Sequence, residues 1–311
     1  CFGAVGNTVT CVDLLAEKVS SLSKGELPFF EPGLGELISG NTTTGSISFT
    51  TDLGVAVGSS NVVIIAVGTP STEPEGEADL TFVFEAVRQV MKHLKDGSII
   101  VIKSTVPIGT NRRIEKFAKT LRGDIGFDIV SNPEFLREKF ANKDFINSEI
   151  IIFGGKEENC RKLSNFYKDY THCICKDYVM TDFISASLIK YTINSFLALK
   201  VTFFNEMKSV FDNLNSDNDW SNFIGAISRD NRIGNSHMSV PGHDGRYGFG
   251  GPCFPKDVNA LIKYSQEIGS ELTLLKKANN INNAIRAKYN DRTVREKEQN
   301  IKFNTKTKRE E

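Results

Sequence analysis

The chain has 311 residues, 40% of them hydrophobic and 24% charged, which is typical of a folded protein of about two domains. Its 38 basic and 38 acidic side chains cancel, so net charge draws it neither to nucleic acid nor to an anionic membrane. Its apolar runs are too short to span a bilayer, and its first residues do not resemble a signal peptide.

The six cysteines lie at positions 1, 11, 160, 173, 175 and 253. They form no CxxC pair and have no zinc-ligand spacing, so no metal site is expected. An even count does not imply disulfides in a chain of this size without a signal peptide. This pattern predicts a protein of the reducing cytoplasm.

The first half of the chain alternates apolar runs with helical patterns. Strands are predicted at 8–14, 62–68, 98–105, 127–133 and 149–155. Helices are predicted at 16–24, 79–95, 111–121 and 157–167. The apolar runs are nearly continuous, as expected for parallel strands that are covered on both faces. Residues 1–178 are therefore predicted to form a Rossmann-like doubly wound α/β domain that binds a dinucleotide.

The second half is predicted to be helical. Residues 181–214 contain neither Pro nor Gly and predict one long helix, capped by Thr181 or Asp182. Further helices are predicted at 219–228, 257–268 and 271–290, with a long glycine-rich loop before the second of these three. A helical domain over 179–290 follows. The charged tail at 291–311 predicts a solvated helix end or disorder.

Three side chains follow predicted strands in the first domain. Asp13 ends the first strand, where a carboxylate accepts hydrogen bonds from adenosine ribose hydroxyls and repels a 2′-phosphate, which favours NAD over NADP. An ordinary helix cap is the alternative for an isolated Asp. Thr69 and Thr105 follow two further strands, at the sheet edge where ligands bind.

The glycine-rich turn of a dinucleotide fold is not found ahead of Asp13. The segment "GAVG" at 3–6 is not GxGxxG and has no strand before it. We therefore expect a gap in the sheet between the strands near 8–13 and 62–67, and we expect the sequence to be a fragment. NAD binding by this chain alone should be weak or absent, because the pyrophosphate lacks its helix N-terminus. Micromolar binding in isothermal titration would contradict this.

Five side chains could carry chemistry. Glu134 follows a strand at the ligand edge, and Lys190 and Asn194 share one face of the long apolar helix. Cys253 and Asp257 are four residues apart, with Asp257 at the start of a predicted helix. Taken singly, each has an ordinary alternative: a surface acid, a snorkelling lysine, a buried thiol or a helix cap.

Taken together, the motifs resemble the UDP-glucose 6-dehydrogenase family. The most specific are "SNPEFLRE" and "GFGGPCFPKD", supported in chain order by "VGTPS", "KSTVPIGT" and "LIKYTINSF". The resemblance implies oxidation of UDP-glucose to UDP-glucuronate with two NAD, and a homodimer formed through the helix near 182–213. Two parts of the family pattern are missing, the glycine-rich turn and the UDP-gripping carboxyl-terminal domain. Ser187 stands where the family more often has Glu.

The resemblance also assigns roles to the five candidate residues. Cys253 would attack the C6 aldehyde as a thiolate, passing through a thiohemiacetal and a thioester. Lys190 and Asn194 would stabilise the developing oxyanion. Asp257 would act on the proton of the attacking group or water, and Glu134 would activate water for thioester hydrolysis.

Further residues would bind the ligands. By the same resemblance, Lys190 and Asn194 also contact the sugar nucleotide, together with Phe135, Leu136, Arg232, Phe249 and Gly250. Arg232 would reach the substrate of the neighbouring subunit. The residues expected to contact NAD are Asp13, Lys18, Thr69, Thr105, Glu138 and Lys256.

Three other functions stay open at this stage. The chain could be a catalytically inactive remnant that only dimerises. It could belong to a dehydrogenase for another sugar nucleotide, such as GDP-mannose or a UDP-N-acetyl sugar. A two-electron 3-hydroxyacid dehydrogenase has a similar architecture and a helix-borne lysine, but it has no need of Cys253.

Overall fold

The computed structural model describes residues 1–72, 77–214 and 216–303. Internal contacts divide the chain into two compact units. Unit 1 comprises residues 1–68 and 80–190, and unit 2 comprises residues 69–79 and 191–311. The boundary after Lys190 falls inside one long helix, Phe183–Asp212. The domain bounds predicted above, 1–178, 179–290 and 291–311, stay predictions.

The strands of the described residues all lie in unit 1. They are β1 (Val9–Val12), β2 (Ile47–Thr50), β3 (Val62–Ile65), β4 (Ser98–Ile102), β5 (Phe127–Ser131), β6 (Ile150–Gly154) and β7 (Asp177–Thr181). β1 and β2 pair in parallel as a separate sheet. The other five form a sheet in the order β3-β4-β5-β6-β7. β1 and β3 therefore lie in different sheets.

The larger sheet is mostly parallel. β3, β4 and β5 run parallel, and so do β6 and β7, but β5 meets β6 at a single antiparallel pair, Ser131 with Gly154. β3 is an edge strand of this sheet, and its Ile64 side chain is 40% exposed. The prediction of an α/β domain with a parallel sheet is confirmed.

Helices cover both faces of this sheet. Those of unit 1 are a 3₁₀ turn (Gly3–Val5), α1 (Ala16–Ser23), α2 (Leu34–Thr43), α3 (Leu53–Ser59), α4 (Thr81–His93), α5 (Thr110–Leu121), α6 (Ala141–Ile146), α7 (Glu157–Tyr170) and the first turns of α8 (Phe183–Asp212). Ile100 and Ile102 of β4 pack in a core with α4 and α5, whereas Val101 between them packs in a second core with α7. This burial on both faces explains the continuous apolar runs.

Unit 2 is helical, as predicted. It contains the rest of α8, then α9 (Trp220–Ile227), α10 (Phe254–Glu267), α11 (Thr273–Arg286) and α12 (Val294–Glu298). One core joins α8, α10 and α11 through Ala198, Val258 and Leu275. No helix among the described residues is long and apolar enough to cross a bilayer.

The charged tail differs from its prediction. Residues 294–298 form α12, in which Thr293 and Glu296 make a reciprocal capping box. Glu296 is completely buried and Ile301 is 3% exposed, so this segment packs into unit 2 instead of lying in solvent. The high charge content of this segment gave no indication that these few positions are buried. Residues 304–311 lie outside the described residues.

Several shorter elements were not predicted. β2, β7, α2, α3, α6 and α12 have between four and ten residues, and few of their side chains are buried. α10 begins at Phe254, three residues before its predicted start, so Asp257 lies within its first turns and not at its cap. The predicted cap of α8 is confirmed, because Asp182 accepts the backbone N–H groups of Ile184 and Ser185.

Candidate active site

The carboxyl ends of β3, β4 and β5 are joined by backbone hydrogen bonds. The N–H of Lys103 donates to the carbonyl of Ile65, and the N–H of Asn132 donates to the carbonyl of Ile102, each at 2.9 Å. Thr105 and Glu134 follow β4 and β5 at this edge, as the sequence predicted. Thr69, by contrast, belongs to unit 2, where it is 4% exposed.

Lys190 is a buried cation that pairs with Glu134. Its side chain is 4% exposed, and Nζ donates to the carbonyl oxygen of Glu134 and lies 3.3 Å from Glu134 Oε1. The same Nζ lies 5.0 Å from the centroid of the Phe135 ring. The other carboxylate oxygen of Glu134 accepts the N–H of Leu136 at 2.7 Å. Two predicted catalytic residues and two predicted substrate residues are thus brought together in unit 1.

A second lysine lies in the same neighbourhood. Nζ of Lys103 donates to Asn132 Oδ1 at 3.0 Å, and that oxygen also accepts the hydroxyl of Tyr167 at 2.7 Å. Burial lowers the pKa of Lys103 to about 8, opposed by the attraction of Glu134 and reinforced by the like charge of Lys190. Lys103 was not among the predicted site residues, although a lysine directly after a buried strand at the ligand edge was a usable signal.

The lowered pKa of Lys103 predicts a rise in stability with pH. The unfolded chain keeps this proton up to about pH 10.4, so between about pH 8 and that value the unfolded state binds more protons than the folded state. The free energy of unfolding should therefore increase over this window relative to a Lys103→Met variant. Urea denaturation at several pH values measures the difference. Exposed Lys95→Met is the matched control, and a wild-type-to-K103M difference that stays constant with pH would contradict the prediction.

Two of the predicted cofactor residues form an ion pair after β1. Nζ of Lys18 donates to Oδ2 of Asp13, and the N–H of Leu15 donates to Oδ1 at 3.1 Å. Burial acts to raise the pKa of Asp13, but the hydrogen bond from Lys18 and the backbone amides outweigh it and hold that pKa below its ordinary value. The carboxylate is 28% exposed, which leaves it accessible to a ribose. Thr105 and Glu138 are the remaining unit 1 residues predicted to contact NAD. Glu138 is exposed.

Cys253 lies at the N-cap of α10 and is exposed. Its surroundings differ from those of Cys160, which is completely buried and whose pKa is raised by that burial to about 11. Buried cysteines of this kind are inert, whereas an exposed thiol at the beginning of a helix is placed for reaction. Cys160 is therefore a buried thiol that packs in a core, and Cys253 is not.

Asp257 is the centre of a buried polar group in unit 2. It is 1% exposed and accepts Nδ2 of Asn194 on one oxygen and Nζ of Lys256 on the other, both at 2.6 Å. Asn194 and Lys256 are each 5% exposed. Asp257 is one turn along α10 from Cys253, and its N–H donates to the carbonyl of Cys253 at 2.9 Å. Lys256 was predicted to contact NAD, and in this structure its ammonium group is engaged by Asp257.

The remaining predicted substrate residues also lie in unit 2. The Phe249 side chain is 3% exposed and packs in the core with Ala198, Val258 and Leu275. Gly250 follows it and lies against Arg286. Arg232 is 89% exposed and pairs with Asp230 at 2.6 Å, so its side chain projects from the surface of the unit.

The comparisons with known proteins agree with this arrangement. Residues 1–171 match the model of the UDP-glucose/GDP-mannose dehydrogenase family, NAD binding domain. Residues 184–284 match the model of the UDP-glucose/GDP-mannose dehydrogenase family, central domain. The two matches together span most of the chain.

Individual relatives are similar over nearly the whole chain. A UDP-glucose 6-dehydrogenase of Rhizobium meliloti is 38% identical over 277 residues, which are 88% of this chain and 62% of the relative. A UDP-glucose dehydrogenase structure from Pyrobaculum islandicum superposes with a TM-score of 0.81 at 33% identity, over 91% of this chain and 64% of that one. A GDP-mannose dehydrogenase structure from Pseudomonas aeruginosa superposes with a TM-score of 0.69 at 29% identity, over 93% and 66%.

The chain thus spans about three fifths of the length of the curated relatives that it matches. Both family models lie in the expected order, and the candidate residues fall inside the matched segments. The chain belongs to the UDP-glucose/GDP-mannose dehydrogenase family.

Proposed function

We propose that this chain is the NAD-binding and central part of a dehydrogenase that oxidises UDP-glucose to UDP-glucuronate. The observation that carries the proposal is the exposed Cys253 at the N-cap of α10, one turn before a buried Asp257 that is bonded to Asn194 and Lys256. The similarity to proteins named UDP-glucose 6-dehydrogenase supports the substrate. We infer a reducing cytoplasm as its compartment, since no disulfide joins the six cysteines.

The chemistry assigned to the chain uses a covalent intermediate. NAD, when bound, would accept one hydride from C6 in each of the two oxidations. The Cys253 thiolate would add to the C6 aldehyde between them, forming a C–S bond, and the second oxidation would leave a thioester. Water activated by Glu134 would then break the C–S bond, releasing the carboxylate and restoring the thiolate.

Polar side chains would handle charge and protons in these steps. Lys190 and Asn194 would stabilise the negative oxygen at C6 during thiolate attack, each donor contributing about 3 kcal/mol of barrier reduction. Asp257 would accept or return the proton of the attacking group. Its two oxygens accept hydrogen bonds from Asn194 and Lys256, which fix the orientation of the carboxyl group.

The described residues fit part of NAD. Asp13 at the end of β1 is an accessible carboxylate held by Lys18, which suits the hydroxyls of an adenosine ribose. The pyrophosphate requires a glycine turn between a strand and a helix. Among the described residues before β1, Gly3 and Gly6 border a 3₁₀ turn that follows no strand. The fit of the described residues therefore extends to the ribose.

The test of the proposal is a trapped adduct on Cys253. The Glu134→Gln variant, incubated with millimolar NAD and UDP-glucose, should accumulate a thioester because water is no longer activated. Mass spectrometry of the Cys253 peptide should show the added glucuronyl nucleotide, and the Cys253→Ala variant should show none. Exposed Glu158→Gln, at a residue of α7 with no assigned role, is the matched control for the acid substitution, with fast turnover of any adduct.

Two outcomes would contradict the proposal. One is NADH formation by Cys253→Ala within tenfold of the wild-type rate. The other is the absence of both NADH and adduct at millimolar ligand, which would favour the inactive remnant that only dimerises. Both are read from absorbance at 340 nm and the same mass spectra.

A dehydrogenase acting on another sugar nucleotide is the second candidate. The observation that favours it is the similarity to a GDP-mannose dehydrogenase at 29% identity, close to the 33% of the UDP-glucose dehydrogenase structure. The adduct experiment distinguishes the two when it is repeated with GDP-mannose and a UDP-N-acetyl sugar. If one of these compounds gave its own, heavier adduct on Cys253, that compound and not UDP-glucose would be the substrate.

We also propose a homodimer formed through α8. Phe196, Phe203 and Val210 are 62%, 55% and 48% exposed and are spaced seven residues apart, so they form one apolar stripe along the helix. Such a stripe is costly in water and is typical of a helix that packs against a partner. The stripe is continuous with the region near 182–213 that the family resemblance assigns to dimerisation.

Charging this stripe should dissociate the dimer. A Phe203→Glu variant is expected to elute at the 34.5 kDa of one chain, and the wild-type chain at twice that mass. Buried interface charge without a partner costs several kcal/mol, enough to raise the dissociation constant by about a hundredfold or more. Light scattering after gel filtration measures the mass. Phe82→Glu, at a 53% exposed position of unit 1, is the control, and a monomeric wild-type chain would refute the dimer.

A further inference from the structure

The backbone of the loop before Cys253 is held by side chains from three helices. We name residues 248–251 the glycine loop. Asn205 of α8 accepts the N–H of Gly248 at 2.9 Å. Asn282 of α11 accepts the N–H of Phe249 at 2.6 Å and donates to its carbonyl at 3.0 Å. Glu296 of α12 accepts the N–H of Gly251 at 3.1 Å. Side chains thus accept three of the four backbone N–H groups of this loop.

The groups that hold the glycine loop are themselves fixed. Asn205 also donates to the carbonyl of Val201 at 2.8 Å. Glu296 accepts Nη2 of Arg286 at 2.7 Å, and Arg286 Nη1 donates to Asp244 at 2.7 Å. Glu296 is completely buried, and Asn282 and Arg286 are each 1% exposed. Buried groups that are hydrogen-bonded to one another resist movement, because breaking such a bond leaves a polar atom that water cannot reach.

The glycines of the loop allow this close approach. A Cβ on Gly248 would lie 2.6 Å from Asn282 Oδ1, and a Cβ on Gly250 would lie 2.2 Å from Arg286 Nη2. Gly248 and Gly251 also have positive φ values of 76°, a region that other residues rarely adopt. The loop is therefore shaped against the buried side chains, and its chain direction is fixed where it enters Pro252 and Cys253.

We propose that Asn205, Asn282 and Glu296 are positioning residues that hold the Cys253 thiol at the N-cap of α10. The inference rests on the proposed function, in which this thiol is the nucleophile. Cys253 is the N-cap residue of a 14-residue helix, and the positive end of the helix dipole stabilises a thiolate there. If the glycine loop is released, the residue that follows it can leave this position, and the thiol loses that stabilisation.

The three helices give this arrangement a specific consequence. Glu296 lies in a segment that is far along the chain from the thiol, and it reaches the glycine loop only because α12 folds back on unit 2. Reactivity at Cys253 should therefore respond to substitutions more than forty residues away that touch neither the sulphur nor a substrate. A thiol positioned by α10 alone would not respond to them.

Alkylation of the chain without NAD or substrate tests this inference separately from the reaction. Iodoacetamide rates at each cysteine are measured by peptide mass spectrometry across a range of pH. Asn282→Ala and Glu296→Gln are compared with Asn280→Ala and Glu298→Gln, which change exposed residues of the same two helices. In the first pair, alkylation of Cys253 near neutral pH should fall about fivefold, and the midpoint of its pH–rate profile should rise by about half a unit or more. The second pair should match the wild-type chain.

Cys160 and Trp220 report whether the variants remain folded. Cys160 is completely buried and should stay unreactive, and the fluorescence of Trp220, the one tryptophan, should stay that of the folded unit. Unchanged Cys253 rates and pH midpoint in both folded variants would overturn the inference. If Asn282→Ala unfolds, Glu296→Gln decides, since it preserves side-chain volume. Unfolding of both would also overturn it, because the network would then maintain the whole unit and not the thiol in particular.

Discussion

A Gly250→Ala variant is expected to lose about 3 kcal/mol of unfolding free energy in unit 2. The added Cβ would lie 2.2 Å from Arg286 Nη2 and 2.6 Å from Glu296 Oε1. Neither atom can move aside, because the arginine is 1% exposed and is bonded to both Glu296 and Asp244. Overpacking at a site that cannot relax costs in this range or more. Urea denaturation followed by Trp220 fluorescence gives the value.

The control for this substitution is Gly225→Ala. Gly225 lies in α9, and a Cβ there meets no atom within 4 Å. Alanine also has the higher helix propensity, so this variant should be as stable as the wild-type chain or more stable by up to about 1 kcal/mol. Equal losses in the two variants would show that the close approach at Gly250 is not the cause.

An Asp257→Asn variant is expected to lose about 3 kcal/mol in the same measurement. The amide preserves the shape and can still accept Nδ2 of Asn194, but it removes the counter-charge of Lys256, which is 5% exposed. An uncompensated buried ammonium group costs roughly 3–5 kcal/mol. Adding Lys256→Met should restore part of the loss, since it removes the unpaired charge and preserves the apolar stem.

The comparison for the buried pair is a surface pair in the same unit. Asp291 pairs with Arg246 at 2.8 Å, but its side chain is 75% exposed. Asp291→Asn should therefore cost at most about 0.5 kcal/mol, because water screens such pairs. If Asp257→Asn cost no more than Asp291→Asn, the aspartate would not be the counter-charge on which Lys256 depends.

The larger elements could be predicted because their patterns are local. The strands β3 to β6 are apolar runs that reflect burial on both faces, and α8 is a long stretch without Pro or Gly. Cys253 and Asp257 were found because their spacing and flanking glycines are visible in one segment. Their placement on one helix turn follows from that spacing.

The residues that were missed depend on contacts distant in sequence. Lys103 has a lowered pKa only because folding buries it beside Glu134 and Lys190. Asn282 and Glu296 appear in the sequence as ordinary polar residues of a helix and of a charged tail. Their importance arises from the hydrogen bonds that they make to the glycine loop. No periodicity in the sequence indicates those contacts.

The edge of the larger sheet has a consequence for how this chain behaves on its own. β3 consists of Val62, Val63, Ile64 and Ile65. It contains no lysine or proline, the residues with which natural sheets prevent an edge strand from pairing with another chain. Within residues 1–72, 77–214 and 216–303 no strand pairs with the outer edge of β3, so its backbone amides and carbonyls could pair with another extended segment. In concentrated solution, copies of this chain should therefore associate by pairing of strands at the β3 edge and form fibrous assemblies, unless that edge is already paired with another segment.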